Sequence, residues 1–173
     1  MTTLFSPARR ADAIDRHIDR QAKAGLQRRT TLLLPLLAFL PAAFAATPTR
    51  VEVWKSPTCG CCHDWIAHLQ ANGFSVTTHD DGNTDARVRL GMPVRYGSCH
   101  TAVVDGYAIE GHVPAREIQR LLKERPRAVG LAVPAMPVGS PGMDGPAYRG
   151  RKDPYDVLLV TRDGTSTVYQ SYR

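Results

Sequence analysis

The sequence predicts an α/β fold in which a mixed sheet is flanked by helices, and three observations support this prediction. First, short apolar or alternating runs, typical of strands, are interspersed with segments whose apolar residues recur at helical spacing. Second, the pair Asp105-Gly106 lies between two extended runs, which indicates a two-residue hairpin and antiparallel pairing. Third, the chain after residue 45 has the length of one ordinary domain, so no second domain is needed.

The first predicted elements surround a cysteine-rich turn. The stretch "RVEVWK", Arg50 to Lys55, alternates apolar and polar residues and predicts a strand. Helical spacing then runs from Cys62 to Asn72, and Gly73 is a left-handed stop signal. The stretch "FSVTTH" predicts a second strand, and a weak helix is expected around Thr84 to Leu90. The cysteines therefore belong at the N-terminus of a helix.

The second half of the chain supplies the remaining strands. "TAVVDGYAIEG" predicts the antiparallel hairpin, and a helix is expected between Pro114 and Pro126. The tract "GLAVPAMPVGSPGMDGPAYRG" is so rich in Pro and Gly that it predicts a loop without helix or strand. "YDVLLV" and "TSTVYQSY" predict a final hairpin whose first strand is apolar enough to be central. This order of elements indicates a thioredoxin-like α/β architecture.

The N-terminal stretch "QRRTTLLLPLLAFLPAAFAA" has the order of a secretory signal peptide. A basic pair precedes an apolar run from Leu32 to Phe44, and small residues stand at Ala43 and Ala45. Pro35 and Pro41 interrupt the run, which is shorter than the ~20 residues of a membrane span. We expect residues 1–45 to be a signal peptide with an N-terminal extension, and residues 46–173 to form the exported domain, in the periplasm.

The charge distribution argues against a nucleic-acid partner. The whole chain carries a net charge of +6, but residues 1–45 contain seven Lys/Arg and three Asp/Glu. Four of the six net positive charges therefore lie in the leader, and the exported domain has too little excess charge for a phosphate-binding surface. The membrane is expected to interact with the chain only through the signal peptide.

Three of the four cysteines fall in "SPTCGCCHDW" and form two overlapping motifs. Cys59 and Cys62 make a C-x-x-C pair where a strand enters a helix, the arrangement of thiol–disulfide oxidoreductases, because a helix N-terminus stabilises a thiolate. Cys61 adds a third sulfur that would compete for any mixed disulfide. Three thiolates in one turn are more typical of a site for a soft metal ion. Export also permits disulfides, and a structural cross-link would have to use Cys99, since vicinal pairing is strained.

The spacing of the cysteines favours copper over zinc. Structural zinc usually takes two separated pairs of ligands around a tetrahedron, which adjacent cysteines fit poorly. Cu(I) prefers thiolate and thioether sulfur. Cys99 precedes the hairpin at a position that faces the C-x-x-C turn in thioredoxin-like folds, so we expect its sulfur to close over the other three.

Seven further residues are candidate ligands or neighbours of the site. Met136 and Met143 lie in the Pro/Gly tract and offer thioether sulfur, although gap-filling methionines would look the same. His63 and His100 are each adjacent to a cysteine in the sequence, while His112 carries no positional signal. Trp54 and Trp65 flank the cluster and are expected to shield it from water.

With these motifs assembled, the chain resembles the exported, thioredoxin-like copper-resistance family often called CopG-type, which is unrelated to the ribbon–helix–helix repressors. The resemblance runs from about Val51 to Tyr172 through "KSPTCGCCHDWIAHLQANGF", "SCHTAVVDGYAIEGHVPA", "RPRAVGLAVPAMPVGSPGMD" and "PYDVLLVTRDG". It implies a periplasmic copper-binding protein in which Cys59, Cys61, Cys62 and Cys99 are the metal ligands.

These observations lead to one expected function and two alternatives. The expected function is a protein that holds copper, as Cu(I), in the four-cysteine site for copper resistance, with copper redox activity and periplasmic copper-handling proteins as further candidates. One alternative is a thiol–disulfide oxidoreductase that uses Cys59 as attacking thiolate and Cys62 as resolving thiol. The other is a disulfide-linked binding module whose loop, Val133 to Asp144, contacts a partner protein.

Overall fold

The computed structural model of the protein describes residues 47–173. The predicted signal peptide, residues 1–45, lies outside the described residues. Within residues 47–173, none of the helices has the length and apolar character needed to cross a membrane.

One seven-stranded mixed sheet organises the described chain. Its strands are β1 (Thr49–Lys55), β2 (Phe74–His79), β3 (His100–Val104), β4 (Tyr107–Glu110), β5 (Gly130–Ala132), β6 (Tyr155–Val160) and β7 (Ser166–Tyr172). They lie in the order β2-β1-β3-β4-β5-β6-β7. Parallel pairing joins β1 to β2 and β4 to β5, and the other neighbours are antiparallel. The predicted mixed sheet with flanking helices is confirmed.

The helices lie close to their predicted positions. They are α1 (Gly60–Ala71), α2 (Thr84–Arg89) and α3 (Ala115–Glu124), with 3₁₀ turns at Val94–Tyr96 and Pro146–Tyr148. Gly73 ends α1 with a φ of +86°, the left-handed conformation that glycine adopts without a steric penalty. Pro114 precedes α3, as its fixed φ favours at a helix start.

The hairpin prediction is confirmed in detail. Asp105 and Gly106 both have positive φ, 46° and 83°, as the primed turn of a two-residue hairpin requires. The turn sets the register of β3 and β4, in which Val104 is opposite Tyr107 and Thr101 is opposite Glu110. The final hairpin is also confirmed, because β6 lies between β5 and β7.

The main core lies where α1 and α3 pack on the sheet. Its largest fully buried side chains include Trp65 and Leu69 from α1 and Ile118 and Leu121 from α3. Burying such side chains stabilises the fold by about 1.5–3 kcal/mol each. This packing fixes α1, and therefore its cysteine-bearing N-terminus, against the sheet.

The prediction that the Pro/Gly tract contains no regular structure is wrong at its start. Gly130–Ala132 forms β5, a fully buried strand between β4 and β6. The strand is only three residues long, and its pairing partners come from distant segments. Local composition therefore predicts a loop at Gly130–Ala132, whereas pairing with β4 and β6 makes this segment a central strand.

Candidate metal centre

The N-terminus of α1 presents three of the four cysteines. Cys59 is the N-cap residue, and its backbone N–H donates to the carbonyl of Ser56 at 3.1 Å. No side chain caps the helix, so its first N–H groups and the positive end of its dipole face the sulfurs. A disulfide joins Cys59 to Cys62, with the Cα atoms 5.4 Å apart, and Cys61 is a free thiol.

The structure brings the fourth cysteine to the same place. Cys61 Sγ lies 3.6 Å from Cys59 Sγ and 4.0 Å from Cys99 Sγ. The sulfurs of all four cysteines lie within 4.8 Å of one another. The expectation that a cross-link would have to use Cys99 is wrong: the C-x-x-C spacing closes on itself within one helical turn, and Cys99 remains a free thiol.

Two histidines surround the Cys99 sulfur. Cys99 Sγ lies 3.1 Å from His112 Nε2 and 3.4 Å from His100 Nδ1. His112 Nδ1 is 2.7 Å from the carbonyl oxygen of Pro141. Because a carbonyl only accepts, Nδ1 carries the proton and Nε2 is left free to accept or to ligate. Cys99, His100 and His112 thus form a second donor group that shares one sulfur with the first.

The Pro/Gly tract closes over the site. Met136 Sδ lies 3.9 Å from Cys61 Sγ, and the Met136 side chain remains 46 % exposed. Gly142 packs directly on the start of α1: a Cβ there would lie 2.6 Å from the carbonyl oxygen of Cys61 and 2.8 Å from the backbone nitrogen of Trp65. Only glycine fits this contact. Its φ of +85° also favours glycine, because residues with a Cβ rarely adopt this left-handed conformation.

Burial controls the protonation of the groups around Cys99. Burial, followed by the neighbouring Cys61 thiol, raises the pKa of Cys99 to about 12. Burial and the adjacent His112 lower the pKa of His100 to about 3. Burial also lowers the pKa of His112, against the opposing effect of its bond to Pro141. At neutral pH both imidazoles are uncharged and available as ligands, and a metal ion at Cys99 must displace a proton.

Other predicted neighbours of the site have different surroundings. His63 is exposed on α1. Met143 Sδ accepts a hydrogen bond from the Tyr148 hydroxyl at 3.2 Å, so it has a local partner in the tract. Trp65 is fully buried and lies against His100, with ring centroids 4.1 Å apart, which fits the predicted shielding role. Trp54 instead stacks on His79 at 4.8 Å.

His112 is the residue that sequence reasoning passed over, although the hairpin contained the signal. Thr101 is opposite Glu110, and the backbone N–H of Gly111 donates to the carbonyl of His100 at 3.0 Å. One further step in the same register places Cys99 opposite His112. Extending the two-residue hairpin beyond the strand ends would therefore have predicted this pair.

Comparisons with known proteins agree with these findings. A family described as a protein of unknown function, DUF411, matches residues 96–143, which include Cys99, both buried histidines and Met136. The solved structure titled "Copper resistance protein copG, Form 2" is 50% identical, with a TM-score of 0.67, and the match covers 73% of this chain and 99% of that one. The structure titled Form 1 is also 50% identical, with a TM-score of 0.66, and the match covers 72% of this chain and 98% of that one. No curated protein matches the chain significantly.

The fold and the site together define a mixed α/β protein with a cluster of cysteines and histidines able to bind a metal ion. At 50% identity over nearly the whole of a solved relative, the chain belongs to the CopG family of copper resistance proteins.

Proposed function

We propose that this protein is a periplasmic copper-binding protein that holds Cu(I) on the sulfurs of Cys59, Cys61, Cys62 and Cys99. The observation that supports this most directly is the convergence of the four sulfurs within 4.8 Å at one helix N-terminus. Cu(I) is the soft ion that thiolate and thioether ligands select, and zinc fits adjacent cysteines less well. Family membership and the names of the two relatives support copper as the metal.

The donor set changes with the redox state of the Cys59–Cys62 pair. With this disulfide formed, the free soft donors are the thiols of Cys61 and Cys99 and the thioether of Met136. Addition of two electrons and two protons to the disulfide provides two more thiols. We therefore expect the reduced protein to bind Cu(I) more tightly than the oxidised protein.

The same pair supports a copper redox activity. Oxidation of the Cys59–Cys62 dithiol to the disulfide releases two electrons and two protons, which reduces two Cu(II) ions to two Cu(I) ions. The free Cys61 and Cys99 thiols would retain Cu(I) as it forms. A thioredoxin-like architecture is consistent with this use, because the cysteine pair lies between β1 and α1, with the β3 start facing it.

Metal analysis of the anaerobically reduced protein tests the proposal. We expect at least one equivalent of bound Cu(I), with loss of binding in Cys61→Ser and in Cys99→Ser. His63→Gln is the matched control, since His63 is exposed on the same helix. A reduced wild-type protein that binds no copper, or a Cys61→Ser variant that binds as well as wild type, would contradict the proposal.

The second candidate function is thiol–disulfide exchange, which the Cys59–Cys62 disulfide itself favours. The Cys59 thiolate would attack a substrate disulfide and release one substrate thiolate. Cys62 would then attack the Cys59 sulfur, release the second substrate thiolate and reform the disulfide. Reduction of insulin by the Cys61→Ser variant distinguishes the functions, because it needs Cys59 and Cys62 but not the copper site.

An exported location would account for the disulfide in this chain. The leader pattern and the cysteine usage support a periplasmic location and cleavage after Ala45. The N-terminal mass of the protein recovered from a periplasmic extract tests both. Copper-handling proteins of the same compartment are the partners that this location favours.

A further inference from the structure

A buried carboxylate holds the turn that carries Cys99. Glu110, the last residue of β4, is fully buried. Its Oε1 accepts from the backbone N–H of Ser98 at 2.7 Å, and its Oε2 accepts from the Thr101 hydroxyl at 2.6 Å. Ser98 and Thr101 stand on either side of the Cys99-His100 pair. One carboxylate therefore fixes the chain immediately before and immediately after the residues nearest the metal centre.

An arginine from α2 completes this arrangement. Arg87 Nε donates to Glu110 Oε1 at 3.0 Å, and Arg87 Nη2 donates to the carbonyl of Ser98 at 2.8 Å. Asn83 Nδ2 donates to the same carbonyl and to the Thr101 hydroxyl oxygen, each at 3.2 Å. Both the N–H and the C=O of Ser98 are thus held by side chains from other elements.

The network does more than stabilise the fold. Burial raises the pKa of Glu110, against its bonds to Thr101 and Arg87, and a buried ion pair generally contributes little net stability. The network instead fixes the position of Ser98, because the planar guanidinium of Arg87 donates to the Glu110 carboxylate and to the Ser98 carbonyl at the same time.

We propose that Glu110 and Arg87 are positioning residues that hold the Cys99 sulfur within reach of Cys61 and thereby set the copper affinity of the site. The part that concerns copper rests on the proposed function. The part that concerns the two sulfurs does not, because Cys61 and Cys99 are free thiols in the metal-free protein, 4.0 Å apart.

The first experiment measures the distance between the two thiols without copper. Dibromobimane becomes fluorescent when it bridges two neighbouring thiols, and the oxidised protein offers only Cys61 and Cys99. We expect efficient bridging in the wild type and loss of the bridge in Arg87→Lys, because an ammonium group cannot span Glu110 and Ser98. Arg89→Lys is the matched control, since Arg89 lies in the same helix but over the Trp54 ring.

The carboxylate is tested with a severe and a conservative change. Glu110→Ala removes both acceptors, so we expect the bridge to be lost. Glu110→Gln keeps one oxygen for Ser98 and Arg87 and offers its amide to the Thr101 hydroxyl, so we expect it to restore bridging. We expect a single-site thiol reagent to label both free thiols in every variant, and this measurement separates a change in position from a change in accessibility.

The second experiment measures Cu(I) affinity of the reduced proteins by competition with a chromophoric chelator. Partners that orient a metal ligand change affinity by about 10- to 100-fold when removed, and we expect a loss of that size in Arg87→Lys but not in Arg89→Lys. If the wild type binds no copper, the proposed function fails while the bridging result still decides the position of Cys99.

The proposal is overturned if folded Arg87→Lys and Arg89→Lys proteins bridge equally well. Far-UV circular dichroism and urea unfolding establish that each variant is folded. Should Glu110→Ala fail to fold, Arg87→Lys decides the matter. The Arg87 side chain is 12 % exposed, and lysine keeps the positive charge.

Discussion

The contact between the Pro/Gly tract and α1 can be tested with a single methyl group. In Gly142→Ala, the new Cβ would lie 2.6 Å from the Cys61 carbonyl oxygen and 2.8 Å from the Trp65 nitrogen. Both are backbone atoms of a packed helix, so neither can rotate away. The overlap must therefore remain as strain or be relieved by a shift of the tract, which would also move the Pro141 carbonyl that orients His112.

A second glycine separates the clash from the backbone conformation. Gly150 has a φ of +75°, close to the +85° of Gly142, but a Cβ there meets nothing within 4 Å. Gly150→Ala therefore has only the cost of a left-handed alanine, about 1–2 kcal/mol. Gly142→Ala adds overpacking, which typically costs about 1–3 kcal/mol, unless the tract shifts to relieve it.

Urea unfolding and copper competition give two measurements for this pair. We expect Gly142→Ala to be about 1–3 kcal/mol less stable than Gly150→Ala, or to show an equivalent loss of Cu(I) affinity if the tract shifts. Equal stability together with equal affinity in the two variants would refute the argument that this contact closes the site.

Three further predictions concern the donors themselves. Met136→Leu should lower Cu(I) affinity, since Met136 Sδ lies 3.9 Å from Cys61 Sγ, whereas Met143→Leu should not, and competition titration of both variants checks this. Acid should destabilise the metal-free protein: the pKa of His100 is about 3 when folded and 6.5 when unfolded, so its contribution is complete above pH 6.5 and falls with pH. The His100 contribution to the loss is about 2 kcal/mol at pH 5, so urea unfolding should show the full acid loss in wild type and His63→Gln and a loss smaller by about that amount in His100→Gln, where only His112 and other groups still contribute. Equimolar zinc should leave bound Cu(I) in place, and displacement measured by metal analysis after gel filtration would contradict the soft-donor assignment.

Local patterns predicted most of the fold. The hairpin at Asp105-Gly106 needs only two residues that tolerate positive φ, and α1 needs only its apolar spacing and Gly73 as a stop. These signals lie within one segment and do not depend on the rest of the chain. Local patterns do not predict the short strand β5, because its pairing partners, β4 and β6, come from distant segments.

The candidate site was predicted less completely than the fold. The sequence identified all four cysteines that the structure brings together, but not the Cys59–Cys62 disulfide as the pair that forms. The hairpin register, extended past the strand ends, would have predicted that His112 lies opposite Cys99. No sequence signal pointed to Glu110, because a buried glutamate is recognised only by the donors that surround it.

The sequence by itself determined which sulfurs are available, that three of them begin a helix, and that the chain resembles an exported copper-resistance family. The tertiary structure decided that Cys99, His112 and Met136 meet them there. The physical reason is the distance along the chain over which each kind of interaction acts. Helical periodicity and turn chemistry act over a few residues, whereas the position of one sulfur beside another depends on how separate elements pack, and here on a buried carboxylate that connects them.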